Sequence, residues 1–241
     1  MNKQLALVTG GIGGLGTEIC RQLAKSGKRV IAEDLGSRSD RVSEFLDEVS
    51  EFSDDISFEP LDVSSFEECT TSLKAITDKH GPISILVNAA GITRDTSLRK
   101  MSERQWSDVI TVNLDGVFNT CRALVDGMTE RGFGRIVNIS SVNGQTGQFG
   151  QTNYSAAKAG MHGFTMALAR EVARKGVTVN SVSPGYCKTA MVMQIAEPIR
   201  NEIIAKIPVG RLGEPSDIAR VVDFLSAEDA GFITGANVPV N

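Results

Sequence analysis

Short β-branched or apolar runs alternate with longer segments of helical period throughout the chain, and this alternation constrains the fold more than any other feature. Seven runs have strand character: Gln4 to Thr9, Arg29 to Asp34, Ile56 to Leu61, Ile83 to Asn88, Arg135 to Ser140, Val177 to Ser183 and Ala236 to Val240. Helices are expected near Leu15 to Ser26, Asp40 to Glu51, Ser64 to His80, Ser102 to Arg131 (as more than one helix), Tyr154 to Lys175 and Pro215 to Ser226. Strands separated by helices pair in parallel, because each crossover returns the chain to the same end of the sheet. Ser64-x-x-Glu67 and Ser102-x-x-Gln105 read as capping boxes, and Gly27, Gly81, Gly132 and Gly176 stand where helix-terminating glycines belong. No linker or repeat interrupts the series, so residues 1–241 are expected to form one doubly wound α/β domain. Residues 189–211 carry a weaker pattern and two prolines, Pro198 and Pro208, which suggests a small helical excursion serving as a lid or binding loop.

Composition removes several classes of function. A chain of 241 residues, 41% apolar, can bury a substantial core. Its 25 Lys and Arg against 29 Asp and Glu argue against general affinity for nucleic acid or anionic membranes. His80 and His162 are too few for a multi-histidine metal site, so no metal is expected. Cys20, Cys69, Cys121 and Cys187 form no C-x-x-C pair; the first three read as small buried hydrophobes, while Cys187 stands near the candidate site. The N-terminal apolar run is too short for a signal peptide, and no run approaches the about 20 residues of a membrane span. A soluble, cytoplasmic protein is the expectation.

The first strand ends in Thr9-Gly10-Gly11-Ile12-Gly13-Gly14-Leu15-Gly16, directly before a helical pattern. Glycines there permit a tight turn and close approach to a pyrophosphate, while the helix N-terminus supplies free N–H groups. Two registers overlap: Gly11, Gly13 and Gly16 fit G-x-G-x-x-G, and Gly10, Gly14 and Gly16 fit T-G-x-x-x-G-x-G. The second strand ends at Asp34, where a carboxylate binds the ribose hydroxyls of NADH and repels the 2′-phosphate of NADPH. Arg38 and Arg41 follow, and either guanidinium could instead hold that phosphate. Both cofactors therefore stay open.

Tyr154-Ser155-Ala156-Ala157-Lys158 places a tyrosine and a lysine on one helix face. A tyrosine titrating near 10 serves proton transfer at neutrality if it is lowered by two or three pH units, about 3 to 4 kcal/mol, and a neighbouring cation acts in that direction. Ser141, thirteen residues upstream at a strand end, can hydrogen-bond a carbonyl beside the Tyr154 hydroxyl; Ser140 competes, although strand alternation turns it to the opposite side. Asn113 and Asn88-Ala89-Ala90-Gly91 complete the set.

Together Thr9 to Gly16, Asn88 to Gly91, Asn113, Ser141, Tyr154, Lys158 and Pro184-Gly185 resemble the classical short-chain dehydrogenase/reductase family over nearly the whole chain. The resemblance implies a Rossmann-like, seven-stranded parallel sheet and a catalytic tetrad of Asn113, Ser141, Tyr154 and Lys158. Tyr154 would be the general acid, Ser141 would orient the carbonyl, Lys158 would bind the nicotinamide ribose and lower the tyrosine, and Asn113 would hold a relay water. By the same resemblance Asp62, Val63 and Thr189 join the glycine loop, Asp34, Arg41, Asn88 to Gly91, Pro184 and Gly185 around the cofactor. The family commonly has N-N-A-G where Asn88-Ala89-Ala90-Gly91 stands, so the amide lost at Ala89 removes one side-chain contact.

Gly91 to Asp95, Ser140 to Gln145, Gly147 to Tyr154 and Ser183 to Tyr186 resemble most closely the acetoacetyl-CoA reductases of polyhydroxyalkanoate synthesis, where NADPH is the usual reductant. That implies reduction of acetoacetyl-CoA, or a related 3-oxoacyl thioester, to the (R)-3-hydroxyacyl-CoA. The 3-oxoacyl-acyl-carrier-protein reductases of fatty acid synthesis are the alternative, and a non-catalytic dinucleotide-binding regulator is a third reading, distinguished by a broken tetrad. Gln148 and Gln151 would offer amides, and Phe149 and Tyr186 apolar walls, to a short acyl chain, with Gly185 beside them; in the competing reading Phe149 is ordinary core. Arg131, Arg135, Arg174 and Lys175 are candidates for coenzyme A phosphates. The family is usually a homotetramer pairing the long helices after the fourth and fifth strands, and usually continues with a short Gly-rich tail beyond the point where Asn241 stands.

Overall fold

The computed structural model describes residues 3–241; Met1 and Asn2, with which the expected domain begins, lie outside the described residues, as does the side chain of Met191. Strands β1 (Leu5–Thr9), β2 (Arg29–Asp34), β3 (Ile56–Pro60), β4 (Ile83–Asn88), β5 (Gly134–Ile139), β6 (Val177–Pro184) and β7 (Asn237–Val240) form one sheet in the order β3-β2-β1-β4-β5-β6-β7. Every pairing is parallel, as the alternating pattern requires. Each expected strand is present within one residue of its expected ends.

The helices are α1 (Gly14–Lys25), α2 (Ser39–Glu48), α3 (Phe66–His80), α4 (Glu103–Ile110), α5 (Gly116–Glu130), α6 (Asn143–Thr146), α7 (Thr152–Val172), α8 (Ala190–Met193), α9 (Glu197–Lys206) and α10 (Pro215–Ser226). Strand alternation sends β1 residues to two cores. Ala6 and Val8 pack with Ile19 and Leu23 of α1, Phe45 of α2, and Ile218 and Val222 of α10. Leu5 and Leu7 pack with Leu73 of α3, Leu124 and Met128 of α5, and Met161 of α7. Helices thus cover both faces, and the fold is a Rossmann-like α/β sheet. Among the described residues, no helix is long and apolar enough to cross a membrane.

Local chemistry sets several boundaries. Gly27, Gly81, Gly132 and Gly176 all take left-handed φ, between 70° and 100°, and end their helices as expected. Ser102 and Gln105 form the expected capping box. The other box forms differently: Asp62 Oδ1 binds the amide and hydroxyl of Ser64, so Ser65 becomes the N-cap and accepts from Glu68 N at 3.1 Å. The long segment after β4 is one helical rod broken by a π turn, Thr111–Asp115, between α4 and α5. Residues 189–211 hold α8 and α9, outside the sheet.

Candidate active site

Strand order reverses between β1 and β4, and there the carboxyl ends of the strands leave a crevice. Thr9, buried at the end of β1, closes one side: its Oγ1 accepts from Ala89 N and Ala90 N, both at 3.2 Å. The Ala89 position therefore serves through its backbone. Gly10 follows with φ 63°, and a Cβ on it would stand 2.8 Å from the Ala89 carbonyl. A Cβ on Gly16 would stand 2.1 Å from Gly10 O, so the loop can fold back on α1 only as glycine. Gly13 caps α1 without any side-chain bond, Gly14 lies against the Thr189 methyl, and no acidic residue occupies the first turn. Uncapped N–H groups at a narrow glycine cradle fit a dinucleotide pyrophosphate.

Asp34 ends β2 and accepts from Leu35 N at 2.8 Å. Arg38 Nη1 binds both of its oxygens, at 3.0 and 2.9 Å. Arg41 is engaged elsewhere: Nε donates to Ile12 O at 2.8 Å, and Nη1 reaches Glu48 at 2.8 Å and Glu44 at 3.4 Å. Each guanidinium considered for a 2′-phosphate thus has a carboxylate partner. Val63 O accepts from Asn119, and Asp62 is tied to Ser64, which fixes the loop after β3. Asn88 does not direct its side chain into the crevice. Its Nδ2 donates to Asn138 at 2.8 Å and its Oδ1 accepts from Thr120 at 2.7 Å, a buried link between β4, β5 and α5.

Ser141, Tyr154, Lys158 and Asn113 come together beyond β4 and β5. Ser141 is buried; its Oγ accepts from Asn143 N at 3.1 Å and opposes the rise of the Tyr154 phenol. Ser140 is turned away, donating to Lys158 O at 3.0 Å and meeting His162 Nε2 at 2.7 Å. Lys158 Nζ donates to Ile139 O at 2.7 Å and lies 5.6 Å from the Tyr154 ring centroid. The π turn carries Asn113, whose Nδ2 donates to Ile92 O and Val109 O. Its Oδ1 is buried without a partner, and a Cβ on Gly91 would fall 2.7 Å from it and 3.7 Å from Lys158 Nζ.

Electrostatics departs from the sequence expectation. Burial pushes the Tyr154 phenol above its ordinary value, although the Ser141 hydrogen bond opposes this. Burial pushes the Lys158 ammonium down to about 7. At Tyr154 burial outweighs the Ser141 contact, and Lys158 is itself desolvated, with its hydrogen bond to Ile139 O.

Pro184 O accepts from Val142 N, and Gly185 N donates to Val240 O, which joins the ends of β5, β6 and β7. A cavity of about 670 Å³ opens there, lined by Val142, Asn143, Gln148, Gly185 and Tyr186 together with residues of α9 and α10 and the segment between them. Gln151 instead bridges Asn143 and Asp95, at 2.9 and 2.8 Å. Phe149 is neither wall nor core: it is 90% exposed, on a turn between Gly147 and Gly150, both with left-handed φ. The apolar walls include Ile203 of α9, Ile207 and Val209 just after it, and Val221 of α10; the first three fall in residues 189–211, where the helical pattern is weak. Asp95, which the sequence offers only as the end of the Gly91 to Asp95 segment, is the carboxylate that holds Gln151. Cys187 is buried, and burial holds its thiol up at about 11, the protonated form. The basic candidates lie at the opposite end of the sheet: Arg135 binds Ala227 O and Glu228 O, and Arg131 binds Ile83 O, so both tie loops at strand beginnings.

The model of the short chain dehydrogenase family matches residues 4–200. The chain belongs to that family. Its relatives include an acetoacetyl-CoA reductase of Allochromatium vinosum, 55% identical over 99% of this chain and 97% of that protein. Another, from Cupriavidus necator, is 50% identical over 100% of this chain and 98% of its own length. A 3-oxoacyl-acyl-carrier-protein reductase of Pseudomonas aeruginosa is 43% identical over 99% and 96%. This dehydrogenase is accordingly an oxidoreductase that uses a nicotinamide dinucleotide, and the cradle at Gly10 to Gly16 suits that group.

Proposed function

We propose that the protein reduces acetoacetyl-CoA, or a similarly short 3-oxoacyl-CoA, to the (R)-3-hydroxyacyl-CoA. The observation that carries this reading is the cavity, which is lined by Val142 and Asn143, next in sequence to Ser141, by apolar Ile203, Ile207 and Val221, and by basic Lys206, Arg211 and Arg220, a lining suited to a short acyl group on an anionic carrier. The bound dinucleotide supplies the hydride. Tyr154 supplies the proton that converts the carbonyl oxygen to a hydroxyl, and its raised phenol stays protonated near neutrality, the form a donor needs. Ser141 Oγ hydrogen-bonds the same oxygen. Lys158 would hold the nicotinamide ribose, and the unpartnered Oδ1 of Asn113 accepts from the water that re-protonates Tyr154.

NADH is the proposed reductant. Asp34 ends β2 and pairs with Arg38, while Glu44 and Glu48 pair with Arg41, so both guanidiniums considered for a 2′-phosphate are already engaged. A homotetramer is proposed from the exposed Phe66 and Phe118, stacked 5.9 Å apart on α3 and α5, and from exposed Met166 on α7. The cytoplasm, where cysteines stay reduced, suits the four free buried thiols. A four-way kinetic comparison tests the proposal: NADH or NADPH, each with acetoacetyl-CoA or the carrier-protein thioester. Highest kcat/KM with NADH and acetoacetyl-CoA supports it; preference for the carrier-protein thioester replaces it with the fatty-acid-cycle reaction.

A further inference from the structure

The cavity lining has a charge pattern that the catalytic chemistry does not use. Its charged lining residues are Lys206, Arg211, Asp217 and Arg220. Arg211 Nη1 and Arg220 Nη2 bind the two oxygens of the single Asp217 carboxylate, at 2.8 and 2.7 Å. Arg211 holds that carboxyl below the ordinary range, so it remains ionised. Two guanidiniums thus share one anion, and Lys206, at the end of α9, has no acidic partner among the described residues; the rim carries a net charge of about +2. Nearby Lys188 and Glu214 pair with each other and cancel.

The segment joining these cations is Lys206-Ile207-Pro208-Val209-Gly210-Arg211. Gly210, with φ 71°, turns it so that Val209 is 68% exposed between the charges while still lining the cavity. An exposed apolar face flanked by cations, in the same cavity that Asn143 and Tyr186 line, fits a purine nucleotide bearing several phosphates better than it fits any part of the acyl chain.

We propose that Lys206, Arg211 and Arg220 bind the phosphates of the 3′,5′-ADP part of coenzyme A, with Pro208 and Val209 against its adenine. This rests on the CoA-thioester reading and deepens it, because it makes the nucleotide handle the element that favours CoA over a carrier-protein arm with its single phosphate. Arg211 also stabilises the start of α10 through Asp217, so the test uses Lys206→Gln combined with Arg220→Gln, both exposed. The readout is the ratio of kcat/KM for acetoacetyl-CoA to that for acetoacetyl-N-acetylcysteamine, which has the same reacting group and no phosphate. The ratio should fall about tenfold in the double variant, the size expected for losing two exposed ion pairs, and should fall with ionic strength in the wild type. An unchanged ratio overturns the proposal. If the wild type reduces neither thioester, the functional reading fails, and calorimetry of 3′,5′-ADP at saturating NADH decides this one: binding weakened in the double variant supports it, and absent or unaltered binding refutes it.

Discussion

Lys158→Met should reverse its effect on stability with pH. The Lys158 ammonium is 3% exposed, and its hydrogen bond is to Ile139 O. In the unfolded chain it takes up its proton near 10.5, but in the fold only near about 7. Between these values the unfolded chain holds a proton that the folded chain lacks, so wild-type stability falls as pH drops through the window. At about 1.36 kcal/mol per pH unit the loss reaches about 5 kcal/mol at pH 7 and stays constant below. Methionine has no proton to gain and escapes this penalty, yet it strands the buried Ile139 carbonyl, at about 1 to 3 kcal/mol. The variant should therefore be about 2 to 4 kcal/mol more stable than wild type at pH 7, and about 1 to 3 kcal/mol less stable above pH 10.5. Urea unfolding of both proteins at fixed concentration, at pH 7, 9 and 10.5, reads this directly. A difference of constant size or sign across the series would refute the assignment of a desolvated, proton-poor lysine.

Glu33→Gln should raise Tm at neutral pH. Glu33 is fully buried with neither oxygen partnered, and burial, reinforced by Glu59 on β3, pushes its carboxyl well above 4.5. The unfolded chain releases that proton near 4.5 while the fold retains it to higher pH, so wild-type stability falls as pH rises above 4.5. The gain in the variant should grow from pH 4.5 upward, and thermal scans showing the same gain at pH 4 and pH 7 would contradict this. Gly16→Ala forces a Cβ to within 2.1 Å of Gly10 O, and the strained loop should weaken NADH at least about tenfold by fluorescence titration. Gly163→Ala, in the middle of α7 with nothing within 4 Å of the new Cβ, is the control and should be about 0.5 to 1 kcal/mol more stable than wild type. Equal affinity in the Gly16 variant would show that the cradle is not a cofactor site.

Most of the sheet was legible because strands buried on both faces are runs of Val, Ile and Leu bounded by glycine turns. Side-chain destinations were less so. The π turn that carries Asn113 is an extra residue in a helix, invisible to a pattern of 3.6, and the inward aim of Asn113 follows from it. The resemblance places Asn88 to Gly91 around the cofactor, but the Asn88 side chain is held by Asn138 and Thr120, 50 and 32 residues away. The place of Phe149 between Ser141 and Tyr154 suggests a pocket wall, whereas the left-handed Gly147 and Gly150 on either side turn it to solvent. Ser141 over Ser140 followed from strand alternation alone. The rise of the Tyr154 phenol could not be read, since it follows first from how deeply the helix start is buried.

The claim that Tyr154 delivers the proton has a direct measurement: turnover of acetoacetyl-CoA by Tyr154→Phe, alongside its affinity for NADH. Turnover should fall about 10²- to 10⁴-fold, the usual contribution of a positioned general acid, with NADH affinity changed less than about threefold. Turnover within about tenfold of wild type, with the cofactor still bound, would contradict the account.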